Sequence, residues 1–246
     1  MNARSESAAC TGEALAGPGA AHPLDQPIWG ALTSRHGAFA QGDGLARRYP
    51  ADMAPFAAVR DPGPAGLASL GRIAAPGDTL ALLSDQPLAL PEAFTVERTL
   101  ALDQMLAGAA PAEDPMAVGL ERLGAAEVPE MMDLVALTQP GPFQARTFEM
   151  GAYFGIRAGQ RLVAMAGERM ALDGYTEISA VCSHPDHRGR GHARVLVAAL
   201  ALRIHARGEV PFLHVVAGNA PAIGLYRQLG FVLRRTLQLT VVRRDR

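Results

Sequence analysis

The sequence predicts a mixed α/β fold of the α+β type, with helices packed on a central sheet. Three observations predict it. From residue 116 onward, apolar runs and turn signals alternate in the order β-α-β-β-β-α-β-α-β. Within that order Ala193, Leu196, Val197, Leu200 and Ile204 recur at helical spacing, whereas PFLHVVAG (211–218) is a continuous apolar run of strand length. Finally, 49% of the 246 residues are hydrophobic and 19% charged, the composition of a chain that buries a core.

Residues 1–22 are rich in Ala, Gly and Ser without periodicity and read as a mobile N-terminal arm. Residues 23–114 form an N-terminal α/β half with its linker. A helix or two fit 27–48, strands fit DTLALLSD (78–85) and FTVERTLAL (94–102), and GAAPAEDP (108–115) has linker composition. Residues 115–246 form the second domain. MAVGLERL (116–123) reads as a strand, and AAEVPEMMDLVALT (125–138) as a helix with Pro129 near its start. TQPGPFQART (138–147) is a loop, because Pro-Gly-Pro cannot continue a helix. Residues 152–170 give two strands around a turn at Ala158–Gly159, and YTEISAVCS (175–183) gives a third. The helix through 193–204 stops at Gly208. A strand at 211–218, a helix at 219–230 and one or two strands at 231–244 complete the order.

With 23 basic and 24 acidic side chains the formal charge is −1, so the totals give no general attraction to nucleic acid or to an anionic membrane. Any anionic partner must be held by a local site. The two cysteines, Cys10 and Cys182, do not make a disulfide framework. The N-terminus lacks the apolar core of a signal peptide, and no apolar run approaches the roughly 20 residues of a membrane span. A cytoplasmic location is the expectation.

The stretch RGRGH (188–192) joins an apolar strand to an apolar helix. Its glycines would serve a plain turn. They would equally let unpaired amides at a helix N-terminus approach a phosphate. A Walker loop needs Lys-Ser or Lys-Thr after its last glycine, where His192-Ala193 stands; the dinucleotide fingerprint needs a third glycine and an acid about 20 residues on. Neither is present.

Arg188-Gly189-Arg190-Gly191-His192-Ala193 resembles the Q/R-x-x-G-x-G/A acyl-CoA signature of the GNAT N-acetyltransferase superfamily, and Asn219, Ala222, Leu225, Tyr226, Gly230 and Phe231 resemble that family's second motif. The likeness covers about 116–246 and is greatest to the subgroup containing glycine N-acyltransferase C-terminal domains, in which a degenerate GNAT-like half precedes the catalytic one. It implies a GNAT-like central mixed sheet flanked by helices, with residues 23–108 as such a half.

The resemblance also implies roles. The amides of Gly189 to Ala193 would cradle the pyrophosphate of acetyl-CoA, with Arg188 and Arg190 beside it. Val181, Cys182 and Ser183 would pair with pantetheine through their backbones, the Val181 amide polarising the thioester carbonyl. Asn219 would hydrogen-bond pantetheine, Tyr226 would protonate the leaving thiolate, and Glu177 would be the base. Strand alternation sends Glu177, Ser179 and Val181 to one face, and burial in an apolar strand would raise the Glu177 pKa.

The implied activity is transfer of an acetyl group from acetyl-CoA to a primary amine by direct attack in a ternary complex. An amino-acid N-acyltransferase using a longer acyl-CoA and a non-catalytic acyl-CoA sensor are the alternatives. The expected partner is a small-molecule or peptide amine, with no nucleic acid, membrane or metal; a homodimer is left open. Phe143, Arg146 and Tyr153 are candidate acceptor contacts. Cys182 reads as a small buried hydrophobe, His184 and His187 as solvated turn residues, His214 as a satisfied core or cleft residue, and Met131 and Met132 as core. Trp29 is either a core anchor or an interface residue.

Overall fold

The computed structural model describes residues 22–108 and 119–245. The arm predicted at 1–22 and the linker predicted at 108–115 lie outside these, apart from His22 and Gly108. The N-terminal half contains α1 (Pro27–Thr33), β1 (Gln41–Gly42), β2 (Ala46–Arg48), β3 (Phe56–Val59), α2 (Pro64–Ile73), β4 (Thr79–Ser84) and β5 (Phe94–Ala107). The C-terminal half contains β6 (Glu121–Leu123), α3 (Val128–Thr138), β7 (Tyr153–Ala158), β8 (Arg161–Leu172), β9 (Tyr175–Ser183), α4 (His192–Ala206), β10 (Val210–Val216), α5 (Ala220–Gln228) and β11 (Phe231–Arg244). The expected second helix before residue 48 is instead the short β1–β2 hairpin, and β3 and α2 fill a stretch for which the sequence suggested no element.

All eleven strands join one sheet in the order β1-β2-β3-β4-β11-β5-β10-β9-β8-β7-β6. The two halves therefore exchange their last strands. β5, from the N-terminal half, pairs antiparallel with β10; β11, from the C-terminal half, pairs antiparallel with β4. β5 and β11 pair with each other along nearly their whole length, from Phe231 opposite Ala107 to Arg244 opposite Phe94. Removing either half would leave unpaired backbone in the middle of the sheet. One hydrophobic core crosses the same seam, uniting Leu24, Ile28, Leu32 and Phe56 with Met150, Met170 and Phe212.

In the C-terminal half, alternation assigns side chains to two faces. Ala164 and Ala166 of β8, with Phe154 and Ile156 of β7, pack under Leu196, Val197, Leu200 and Ile204 of α4. Met165 and Tyr153 point the other way, against Met131 and Leu134 of α3. Two small alanines let α4 lie close on the sheet, which brings its N-terminus to the end of β9.

β9 and β10 are parallel, but their ladder stops after Glu177 opposite Phe212. Beyond that rung they diverge, and the β10-facing backbone of β9 from Ile178 onward has no strand partner. On its other edge β9 carries a bulge: Met165 opposes Cys182 while Gly167 opposes Ser179, so β9 has one extra residue there. Ala180 takes a left-handed φ of 53°, rare for a residue with a Cβ and worth about 1–3 kcal/mol of local strain. The bulge breaks the alternation expected across Glu177, Ser179 and Val181. Glu177 is fully buried, whereas Ser179 and Val181 border the opening.

Candidate active site

The split between β9 and β10 opens into two adjoining chambers. The first, of about 570 Å³, lies over the Gly-rich turn and is lined by Val181 to Ser183, by His187 to Arg194, and by Asn219, Ala222, Leu225 and Tyr226. The second, of about 400 Å³, shares Val181 to Ser183, Arg188, Asn219 and Tyr226, then extends past His214 and Arg169 to Phe56, Leu83, Arg98, Leu100, Leu102 and Leu239. The far wall of the second chamber thus comes largely from the N-terminal half and from β11.

In the turn, Gly189 and Gly191 adopt φ of 73° and 81°, a region that penalises any side chain. An added Cβ at either would meet no protein atom within 4 Å, so it would project into the chamber space. Gly191 caps α4 without a side-chain hydrogen bond. Among the described residues, the amides of Gly189 to Arg194 find no acceptor, while the preceding Arg188 amide bonds Pro185 O and the following Val195 amide bonds Gly191 O. Six successive amide donors at the N-terminus of a 15-residue helix form a positive concavity suited to a di-anion. Arg188 lines both chambers, whereas Arg190 bonds its own turn through Asp186 O.

Asn219 caps α5, its Oδ1 accepting from the Ala222 amide at 3.3 Å, which leaves its side-chain NH₂ for a ligand. Tyr226 borders both chambers with its ring tilted against Phe231, and burial pushes its phenol up to about 12. It keeps its proton across the neutral range. Burial likewise pushes the Cys182 thiol up to about 11, so Cys182 is the inert small residue expected.

Glu177 differs from expectation. Burial alone would raise its pKa, but the Arg169 charge and hydrogen bonds from Arg169 and His214 overcome burial and pull it down to about 2. Arg169 grips the carboxylate with both Nε and Nη2 at 2.8 Å, and its guanidinium also stacks over the Phe56 ring at 4.7 Å. The His214 ring completes the group, with Nδ1 2.8 Å from Glu177 Oε1. Its Nε2 lies 3.1 Å from Gln104 Nε2. Gln104 Oε1 accepts from Arg234 and its amide nitrogen also donates to Leu24 O, so this nitrogen is the donor toward His214. These partners assign Nδ1–H as the tautomer that faces Glu177.

The expected acceptor contacts are corrected. Phe143 and Tyr153 are buried against each other at 5.5 Å, and the Tyr153 ring occupies the space that a Cβ on Gly167 would need. Arg146 is tied to Glu149 and Asp52 on the surface. Of the predicted loop, only Thr138 to Pro142 reaches the second chamber. His184 is not solvated: it is buried, accepts from the Asp186 amide and meets Arg161. Trp29 is half-buried beneath Arg47. Met131 is core, as expected.

Arg169, Gln104 and Arg98 were not singled out from the sequence. For Arg169 the sequence carried no signal: counting back from Leu172 opposite Tyr175 sets Met170 opposite Glu177 and Arg169 opposite Ile178, and only an irregularity in β8 between Glu168 and Ala171 brings Arg169 to Glu177. Gln104 and Arg98 reach the site only through the strand exchange.

A split parallel strand pair, an amide cradle at a helix N-terminus and an adjoining second chamber make a two-part site that holds an anionic group in one chamber and leaves the other for a second molecule. The comparisons agree. Residues 153–239 match the model for FR47-like proteins. The chain is 30% identical over 115 residues to the [ribosomal protein bS18]-alanine N-acetyltransferase of Salmonella typhimurium, covering 44% of this chain and 77% of that one. A crystal structure of a protein from Novosphingobium aromaticivorans, described as an acetyltransferase from the GNAT family, superposes with a TM-score of 0.84 at 38% identity, over 92% of this chain and 100% of that one. A GCN5-related N-acetyltransferase from Kribbella flavida shares the fold at 17% identity, TM-score 0.54, over 88% and 92% of the two chains. The chain belongs to the GNAT family of acetyltransferases and is an N-acetyltransferase. No group of three or more potential metal ligands occurs among the described residues, and none of their helices is long and apolar enough to cross a membrane.

Proposed function

We propose that this N-acetyltransferase uses acetyl-CoA as donor and acetylates a primary amine by direct attack in a ternary complex. The observation that carries the reading is the run of six acceptor-free amides, 189–194, opening onto the β9–β10 split and continuous with a second chamber. Acetyl-CoA supplies an activated thioester carbonyl and a thiolate leaving group. Gly189 to Ala193 hold its pyrophosphate by backbone donation, with Arg188 adding charge. The unpaired edge of Val181, Cys182 and Ser183 and the NH₂ of Asn219 hold the pantetheine arm, and the Val181 amide donates to the carbonyl oxygen.

Tyr226, protonated at neutral pH, donates to the departing sulfur. Glu177 is engaged by Arg169 and by His214 Nδ1–H, and His214 Nε2 is taken by Gln104, so this group shapes the wall of the second chamber and the proton of the amine passes to water there. Direct attack needs no acyl-enzyme, and burial keeps Cys182 a thiol, a poor nucleophile.

A screen of amines with acetyl-CoA, reading released free thiol beside calorimetric coenzyme A binding, tests the assignment. Binding with thiol release on at least one amine is the expected result. Binding with no release on any amine would make the chain a sensor, and no binding would remove the cradle.

A further inference from the structure

The second chamber has a directional floor. Between Arg98 and Gln104 the pairing of β5 is regular, so Arg98, Leu100, Leu102 and Gln104 project to one face. Across the ladders Leu100 stands opposite Leu239, which in turn stands opposite Leu83; Leu102 stands opposite Val216, and Gln104 opposite His214. The floor therefore runs from the polar group at the β9–β10 split, over an apolar stretch, to a single guanidinium at the outer end.

That guanidinium is unengaged. Arg98 is exposed, lines the chamber, and has no ion-pair or side-chain hydrogen-bond partner among the described residues. The four arginines of the neighbouring β11 are all engaged: Arg234 and Arg235 with Asp25, Arg243 with Glu97, and Arg244 with Ala93 O and the Phe94 ring. Arg98, the one arginine of β5, stands alone where the cavity opens.

We propose that Arg98 binds a carboxylate of the acceptor, so that the acceptor is a small amine carrying a carboxylate at the far end of a short apolar spacer. The proposal rests on the acetyl-transfer reading above. Leu102 lies four positions along β5 from Arg98, about 13 Å of strand, and the long arginine side chain covers only part of that span. An α-amino acid, with both groups on one carbon, is too short to place its amine at the split and its carboxylate on Arg98. An ω-amino acid spans the distance, its methylenes lying on Leu100 and Leu239. The planar guanidinium suits bidentate recognition of the carboxylate.

The test is a matched panel with acetyl-CoA and free-thiol detection: glycine and progressively longer ω-amino acids, each beside its carboxamide, and one peptide with an acidic second residue. The longer acids should be turned over in preference to their carboxamides and to glycine. Arg98→Gln should lower the acid-over-carboxamide ratio of kcat/KM by about tenfold to a hundredfold, acting through KM, and Arg98→Lys should retain part of it. Arg98 is exposed, so an unchanged melting curve will confirm that the variants fold. A ratio near one in the wild type, a ratio unmoved by Arg98→Gln, or turnover of the peptide alone overturns the assignment while leaving acetyl transfer standing. Absence of thiol release with every amine overturns the transfer reading and this one with it.

Discussion

Replacing Glu177 by glutamine separates a positioning carboxylate from a free base. In the native fold the carboxylate is fully buried between Arg169 and His214. Its depression from the usual 4.5 to about 2 is equivalent to about 3 kcal/mol of preference for the ionised form. Because the folded pKa lies below the unfolded one, this stabilisation is complete above about pH 5 and is lost as the pH falls toward 2. Glutamine keeps the shape but leaves the Arg169 guanidinium buried without a counter-charge, a fault that costs about 3–5 kcal/mol. For a chain of this length that lowers Tm by roughly 6–20 °C at pH 7. Thermal melts of wild type and Glu177→Gln between pH 2 and 8 read the effect, and the gap between the curves should close toward the acid end. Combining Glu177→Gln with Arg169→Met should recover much of the loss, since the pair then goes together. A variant with wild-type Tm but abolished turnover would refute the reasoning and make Glu177 the base itself.

Other perturbations address the remaining roles. Gly191→Leu demands a left-handed φ and fills the cradle, so coenzyme A affinity measured by calorimetry should fall at least about tenfold; an unchanged affinity would dismiss the cradle. Tyr226→Phe should cut kcat by about a hundredfold while sparing coenzyme A affinity, and undiminished turnover would reduce Tyr226 to packing. Expressing residues 119–245 alone should give no cooperative melt, because β10 and β11 lose β5 between them; a native-like transition would contradict the interdependence of the halves.

The C-terminal half was legible because its signals are local. The bounds of β9 follow its apolar run, α4 follows its 3.6-residue period, and the Gly-rich turn needs no distant partner to be recognised. The N-terminal half was less legible. Its strands are short, and α2 opens on Pro-Ala-Gly with no polar cap to mark it. The Glu177 environment fell between these cases. Its strand and burial were readable, but the sign of the pKa change depends on Arg169, which an irregularity in β8 turns toward Glu177, and on His214, which the split brings alongside. Lateral strand order was not readable at all. Nothing in β5 as a sequence announces that it will lie between β10 and β11, and with that insertion come Gln104 and Arg98.

The exchange of final strands also bears on synthesis. A ribosome delivers β4 and β5 well before β11, yet β11 is the neighbour of both. Until β11 emerges, the first half carries two open edges, including Leu80 and Leu82 of a strand whose centre becomes buried. Such edges recruit other chains, and the long sequence separation of the pairing slows their closure. The nascent N-terminal half is therefore the species most in need of a chaperone. Shortening β11 should reveal itself first as aggregation of newly made chains, before any effect on catalysis can be measured.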